Sequence, residues 1–259
     1  MKLSVLSENT AYSIFKAEHG FSLYIEHDIP LLFDTGASRL FLENARKMHI
    51  EIDRASKIVL SHGHWDHGNG LRYLSGKELI CHPDVFMKRY SGDGSRDIGL
   101  NRDESQLAAS FQINKHKSPY WISEKIVFLG EIPRKTDFES VHTTFTKENG
   151  EPDFVPDDTG IAMILNDELF IISGCAHAGI CNTIEHAIEV TGLQKVKAVM
   201  GGFHLKSNDE LTQKTIAYLK KWENAVYLPC HCTGFEAKMA FSRELKTKQV
   251  HAGMTLEFN

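Results

Sequence analysis

The stretch SHGHWDHGNG, residues 61–70, packs three histidines and an aspartate into the six positions from His62 to His67. It follows the apolar run KIVL, residues 57–60, and gives way to glycines and then Leu71 and Leu74. This pattern predicts a strand, a loop, and a helix beginning near Gly68, so the cluster sits at the carboxyl end of a strand. His62 and His64 stand two apart, and in an extended backbone their side chains leave on the same face, as a chelate requires. Asp66 and His67 follow as the chain turns, and can bend toward a second ion as in two-metal sites. Imidazole nitrogens suit zinc, iron or manganese, and the carboxylate adds charge compensation. A loop of chance histidines is the poorer reading, because desolvating these groups without a ligand is costly.

Four donors on one loop cannot complete two ions. Other donors are expected where apolar strands run into glycine-containing turns, which selects His177 in IISGCAHAGICN, His204 in VMGGFHL and His231 in YLPCHCTGF. His19, His27, His49, His116, His142 and His251 lie on polar stretches and His186 on an expected helix, so all seven read as solvated surface residues. His82 follows an apolar run but meets Pro83 instead of a glycine turn. The five cysteines, Cys81, Cys175, Cys181, Cys230 and Cys232, are odd in number and contain no C-x-x-C pair, which argues against a disulfide framework and a zinc ribbon.

Around these motifs, short apolar runs alternate with turns. KLSVLS, FSLYIEH and PLLFDTG read as strands and SRLFLENARKMHI as a helix. TGIAMILNDELFIISGCAH reads as a hairpin turning at Asn166 and Asp167, followed by a helix in NTIEHAIEVTG. KVKAVMGGFH and NAVYLPCHC read as buried strands, and SNDELTQKTIAYLKKW as a helix with a capping box formed by Ser207 and Glu210. From about residue 83 to 125 the periodicity loosens; the Tyr120–Trp121 pair favours a lid insertion over a disordered segment. With no composition break, the expectation is one domain over residues 1–259, with two sheets flanked by helices.

The 259 residues carry 42 % hydrophobic and 24 % charged side chains and a net charge of −5, as in an ordinary globular protein. No basic block suggests nucleic acid or an anionic membrane, and no apolar run approaches the roughly 18 residues of a span. The expected partner is a small-molecule substrate, with no nucleic acid and no membrane, a homo-oligomer left open, and the expected compartment is the cytoplasm.

HGHWDH matches the H-x-H-x-D-H signature of the metallo-beta-lactamase superfamily, and LLFDTG, containing Asp34, Thr35 and Gly36, resembles the strand-end aspartate motif of that superfamily. The resemblance implies an α/β fold, the four-layered αββα sandwich of the metallo-beta-lactamase type, over essentially the whole chain. LGEIPRKTDFE, SGCAHAGICNTI, GGFHL and PCHCTG resemble the branch named 7,8-dihydropterin-6-methyl-4-(beta-D-ribofuranosyl)aminobenzene-5'-phosphate synthase. It further implies two divalent metal ions, zinc first with iron or manganese as alternatives, His62 and His64 on the first and Asp66 and His67 on the second. Asp34 would orient the loop from beneath. Where many relatives carry a histidine in PGHTPG, this chain has PDDTG, offering Asp157 or Asp158; where they carry a bridging aspartate, it has Cys175. His177 is expected to replace the missing histidine, with Cys175 the less favoured donor, since the two would leave an extended segment on one face. His204 and His231 compete as the final ligand. Cys230 and Cys232 flank His231 in an extended run, point away from it, and read as packing residues.

The implied reaction is hydrolysis of an ester-like or phosphoester bond of a small anionic substrate, pterin- or nucleotide-like, by a metal-activated hydroxide. Asp66 would steer the nucleophile, and whichever of His204 and His231 is not a ligand would stabilise the oxyanion or protonate the leaving group. Arg134 and Lys206 are candidate anion binders. The rival readings are a mono- or di-iron redox enzyme of the same fold and a ligand-binding protein without turnover.

Overall fold

The computed structural model describes residues 1–258, and these divide into two compact units: 1–117, 143–157 and 251–258 form the first, and 118–142 with 158–250 the second. The first is built on a seven-stranded sheet in the order Thr255–Glu257, Lys2–Ser7, Ser22–Glu26, Pro30–Phe33, Lys57–Val59, Lys77–Cys81, Phe111–Lys115. Its first four strands pair antiparallel and the remaining pairings are parallel. Parallel neighbours require crossovers, and the histidine-rich loop lies in the one that joins Lys57–Val59 to Lys77–Cys81. The helix Leu40–Lys47 occupies the preceding crossover and turns Phe41 and Ala45 into a core with Leu6, Tyr24, Leu32, Ile58 and Leu79. Each fully buried aliphatic or aromatic side chain there contributes about 1.5–3 kcal/mol relative to exposure.

The second unit is built on a six-stranded sheet in the order Val226–Cys230, Val196–Gly202, Glu168–Ser173, Gly160–Leu165, Ile126–Phe128, Tyr120–Trp121. Here the first three strands are parallel and the others antiparallel. The expected hairpin turns at Asn166 and Asp167, whose φ angles of 50° and 61° are those of a tight turn matched to strand twist. The helices Ile180–Thr191, Glu210–Leu219 and Phe235–Glu244 supply Ile184, Ile216 and Phe241 to its core.

Three local readings change. The helix expected near Gly68 begins at Trp65, after an extended His64, and continues as a 3-10 turn over Asn69–Tyr73. Asp66 and His67 therefore belong to a helical turn. The helix Glu210–Leu219 is capped by Asp209, which accepts the Thr212 N–H at 2.9 Å, and Ser207 instead donates its hydroxyl to Asp209. The aspartate directly before the first helical residue outcompetes the serine two positions further out. Residues 83–125 carry the strand Arg89–Ser91, the helix Glu104–Ala108 and the edge strand Phe111–Lys115. Among the described residues no helix is long and apolar enough to cross a membrane.

Candidate metal centre

In the first unit the site begins at Asp34, which follows the strand Pro30–Phe33 in a left-handed conformation with φ 55° and is fully buried. Its carboxylate accepts the Ser61 N–H at 2.8 Å, the Ser61 hydroxyl at 2.7 Å and the His67 Nδ1–H at 2.7 Å. Because the Ser61 hydroxyl proton goes to Asp34, its lone pair is left to accept from His62 Nδ1 at 2.9 Å. This pattern assigns the Nδ1–H tautomer to both His62 and His67, so Nε2 is the atom each would offer a cation. His62 and His67 are fully buried, His64 and Asp66 nearly so, and the His62 and His67 rings are centred 4.2 Å apart. His62 Nε2 lies 3.0 Å from His64 Nδ1, close to the spacing of about 3.4 Å for two imidazole nitrogens sharing a tetrahedral ion at roughly 2.0–2.1 Å.

The backbone of this loop is gripped as firmly as its side chains. A Cβ at Gly63 would meet the Val85 carbonyl oxygen at 2.0 Å, so only glycine fits between the two histidines. The Gly63 N–H donates to Asp157 at 2.7 Å, and the other Asp157 oxygen accepts from Arg89 at 2.7 Å. Arg89 also approaches Asp153 at 3.4 Å, and all three side chains are fully buried. Burial opposes the Arg89 charge, but the Asp157 and Asp153 carboxylates outweigh it and raise the pKa above its ordinary value. Asp157 is thus committed to holding the loop. His19 is exposed, as expected of a surface residue, yet its Nε2 lies 3.1 Å from Asp66 and its ring tilts against Trp65 with centres 5.7 Å apart. The adjacent Gly20 leaves room for this approach: a Cβ there would press on the Asp66 carbonyl at 3.0 Å.

In the second unit, three parallel strands end side by side, with Ser173 in register with Gly201 and Gly201 with Pro229. Two residues beyond each register position stand Cys175, Phe203 and His231. Left-handed residues follow: Ala176 with φ 46°, His204 with φ 52° and His231 with φ 49°. Non-glycine residues there cost on the order of 1–3 kcal/mol each and cluster at functional sites. The His177 and His204 rings lie 4.6 Å apart. Cys175, His231 and Cys232 place their donor atoms within 4.8 Å of one another. Two expectations are corrected by these kinks. The segment from Cys175 to His177 is not extended, because Ala176 turns it. Cys232 does not point away from His231, because the left-handed His231 ends the strand alternation, while Cys230 stays in the strand, fully buried.

A strap made from the sequence LGEIPRKTDFE positions the turn that carries His177. Buried Glu139 accepts the Cys181 N–H at 2.9 Å and the Asn182 N–H at 3.0 Å, closing the start of the helix Ile180–Thr191. The Asn182 side chain accepts from the Lys135 and Thr136 amides and donates to the Ala178 carbonyl. Asp158 accepts the Ala178 N–H at 2.9 Å. Arg134 is half-buried and donates to Ser140, whereas exposed Lys206 donates to the Cys232 carbonyl at 3.1 Å. His186 is buried and bonded to the Leu129 carbonyl at 2.9 Å, so it is no surface residue; His82 caps its own 3-10 turn by accepting from Asp84. Burial pushes the Cys232 thiol up, but the hydrogen bond with Cys175 and the charges of His231 and Lys206 outweigh it and bring the pKa down to about 6. Burial and Glu139 push Cys181 well above its ordinary range.

Buried imidazoles and a carboxylate in the first unit, and imidazoles and thiols in the second, are donor types that suit divalent transition-metal ions. The chain belongs to the metallo-beta-lactamase superfamily, whose family description matches residues 18–80, and its fold is the metallo-beta-lactamase fold. Over 249 residues it is 33 % identical to an uncharacterized protein of Methanocaldococcus jannaschii, covering 93 % of this chain and 94 % of that one. It is also 32 % identical over 286 residues to the 7,8-dihydropterin-6-methyl-4-(beta-D-ribofuranosyl)-aminobenzene-5'-phosphate synthase of the same organism, covering 100 % of this chain and 97 % of the relative. Among solved structures, a metal-dependent hydrolase of the beta-lactamase superfamily superposes with a TM-score of 0.90 at 32 % identity, covering 100 % and 99 % of the two chains.

Proposed function

We propose that the protein is a metal-dependent hydrolase that cleaves an ester-like or phosphoester bond in a small anionic substrate, pterin- or nucleotide-like. The observation that carries this reading is the buried group His62, His64, Asp66 and His67, with two imidazoles held in one tautomer through Asp34 and Ser61. Those four, with His177, His204 and His231, are the proposed ligands of two divalent ions, zinc first and iron or manganese as alternatives; Asp158 and Cys175 are the substitute donors. Ions held there would lower the pKa of water and supply hydroxide to the scissile bond.

The side chains then have separate tasks. Asp34 and Ser61 keep His62 and His67 from rotating or changing tautomer. Asp66 orients the attacking water, and its position is fixed in turn by His19 at 3.1 Å. Whichever of His204 and His231 is not a ligand presents a ring N–H to the developing oxyanion or hands its proton to the leaving oxygen. Lys206, exposed beside the turn that carries His231 and Cys232, is the better supported anion binder, and Arg134 the second. The name of the 32 % identical relative makes pterin and ribofuranosyl phosphates the first substrates to try.

The test combines metal analysis with a panel of phosphodiesters, phosphomonoesters, lactones and thioesters. Turnover of one class by the zinc-loaded protein is expected, and His64→Ala should lose both that turnover and metal retention. Full activity in that variant would sink the reading. Bound iron with oxygen uptake would replace hydrolysis by redox chemistry, and inertness toward the whole panel would favour a binding role.

A further inference from the structure

We propose that Cys175, His231 and Cys232 form a thiolate-containing metal site, so that the protein selects thiophilic divalent ions such as zinc over magnesium and manganese. The proposal rests on the metal-dependent reading above and adds to it, beside Cys175, a second sulfur donor, Cys232, which the strand pattern assigns to packing. The geometry comes from a single kink. Along Val226–Cys230 the side chains alternate, and continued extension would turn Cys232 to the face opposite His231. His231 instead adopts φ 49°, and Cys232 comes round to the same side. The neighbouring strand makes room: a Cβ at Gly202 would stand 2.5 Å from the Cys232 sulfur and 2.7 Å from the Gly174 carbonyl, so a larger residue there would displace the thiol. The Cys232 sulfur lies 3.8 Å from the Cys175 carbonyl oxygen, and the three donor atoms all fall within 4.8 Å. Ligands of a tetrahedral zinc, at about 2.3 Å for sulfur and 2.0–2.1 Å for nitrogen, stand roughly 3.5–3.8 Å apart. Small side-chain adjustments therefore bring the trio onto one ion.

The donor chemistry sets the selectivity. Thiolate is a soft ligand that favours zinc, cobalt and cadmium, whereas carboxylate and water suit magnesium and manganese. Cys175 is 4 % and His231 3 % exposed, so an ion there would be shielded from competing water on most sides. Binding forms two metal–sulfur bonds and releases to solvent whatever S–H protons the two thiols still carry.

The experiment uses the full chain, stripped of metal by a chelator, kept reduced, and titrated with cobalt(II). The wild type is expected to develop a sulfur-to-cobalt charge-transfer absorption in the near ultraviolet. This band should weaken in Cys175→Ser and Cys232→Ser and vanish in the double variant. Each single change should weaken cobalt binding by at least about tenfold, the lower end of what even an outer partner of a ligand costs. Cobalt bound without the charge-transfer band overturns the sulfur site and leaves the hydrolase reading standing. A chain that binds no divalent ion overturns both. The wild-type spectrum decides the matter whatever happens to the folding of the variants.

Discussion

At the scale of the residue, Asp34 has the widest reach. One buried carboxylate accepts three hydrogens, and those three bonds fix the position of Ser61 and the tautomers of His62 and His67. Asp34→Asn keeps the shape but replaces one accepting oxygen by an amide that can only donate. The expected result is a metal affinity lowered by about 10- to 100-fold with the circular-dichroism spectrum preserved. An unchanged affinity would mean that the loop finds its geometry without Asp34. The candidate chelating pair His62 and His64 was legible in the sequence, because H-x-H on an extended backbone projects two rings to one side whatever the rest of the fold does. His19 and Cys232 were not. His19 reaches Asp66 from 47 positions upstream, and the side on which Cys232 falls depends on a φ angle at His231 that no residue type announces.

At the scale of the element, the helix Ile180–Thr191 starts on a carboxylate supplied by another segment. Burial raises the Glu139 pKa, and the Cys181 and Asn182 amides and Thr136 only partly offset it. A carboxyl group whose folded pKa lies above the ordinary 4.5 favours the folded state most at low pH. Its contribution falls away as pH rises from that value through the raised one. Glu139→Gln cannot ionise and should lack this decline. Urea midpoints of the two proteins should therefore differ by an amount that changes with pH above about 4.5 and is constant below it. A difference that is constant across the whole range would show that ionisation of Glu139 plays no part. Such long-range caps escape sequence reading, since Glu139 is 41 positions before the residue Ile180 whose helix it closes. The cap at Asp209 was missed for a different reason: two side chains compete for the same amides, and proximity alone picks the winner.

At the scale of the whole molecule, each sheet runs from antiparallel pairing on one side to parallel pairing on the other, and the donors stand at the carboxyl ends of parallel strands. Ligands in open α/β sheets gather at such ends, because crossovers leave the turns there free of ladder bonds. If the donors bind metal only in the folded chain, a bound ion opposes unfolding through mass action. Zinc at about a hundred times its dissociation constant should then add about 2.7 kcal/mol, seen as a higher thermal midpoint that a chelator reverses. A midpoint indifferent to both zinc and chelator would contradict this. The alternation of strands and helices was legible over most of the chain, because buried strands are nearly continuous apolar runs. Residues 83–125 resisted because Phe111–Lys115 is an edge strand with one neighbour and only its first residue fully buried, so its sequence carries little apolar signal.

The left-handed residues Ala176, His204 and His231 have one more effect, on what the strands can no longer do. Each kink stands just past the last ladder bond and acts as a stop to β-pairing. Without these stops, the three parallel strands could zip further together and bury the imidazoles and thiols in a dry seam between backbones. With them, hydrogen-bonded order ends along one ragged front, and the donor side chains spill off it like fingers past the edge of a table. The reach of the site is therefore set by where the sheet is forbidden to grow.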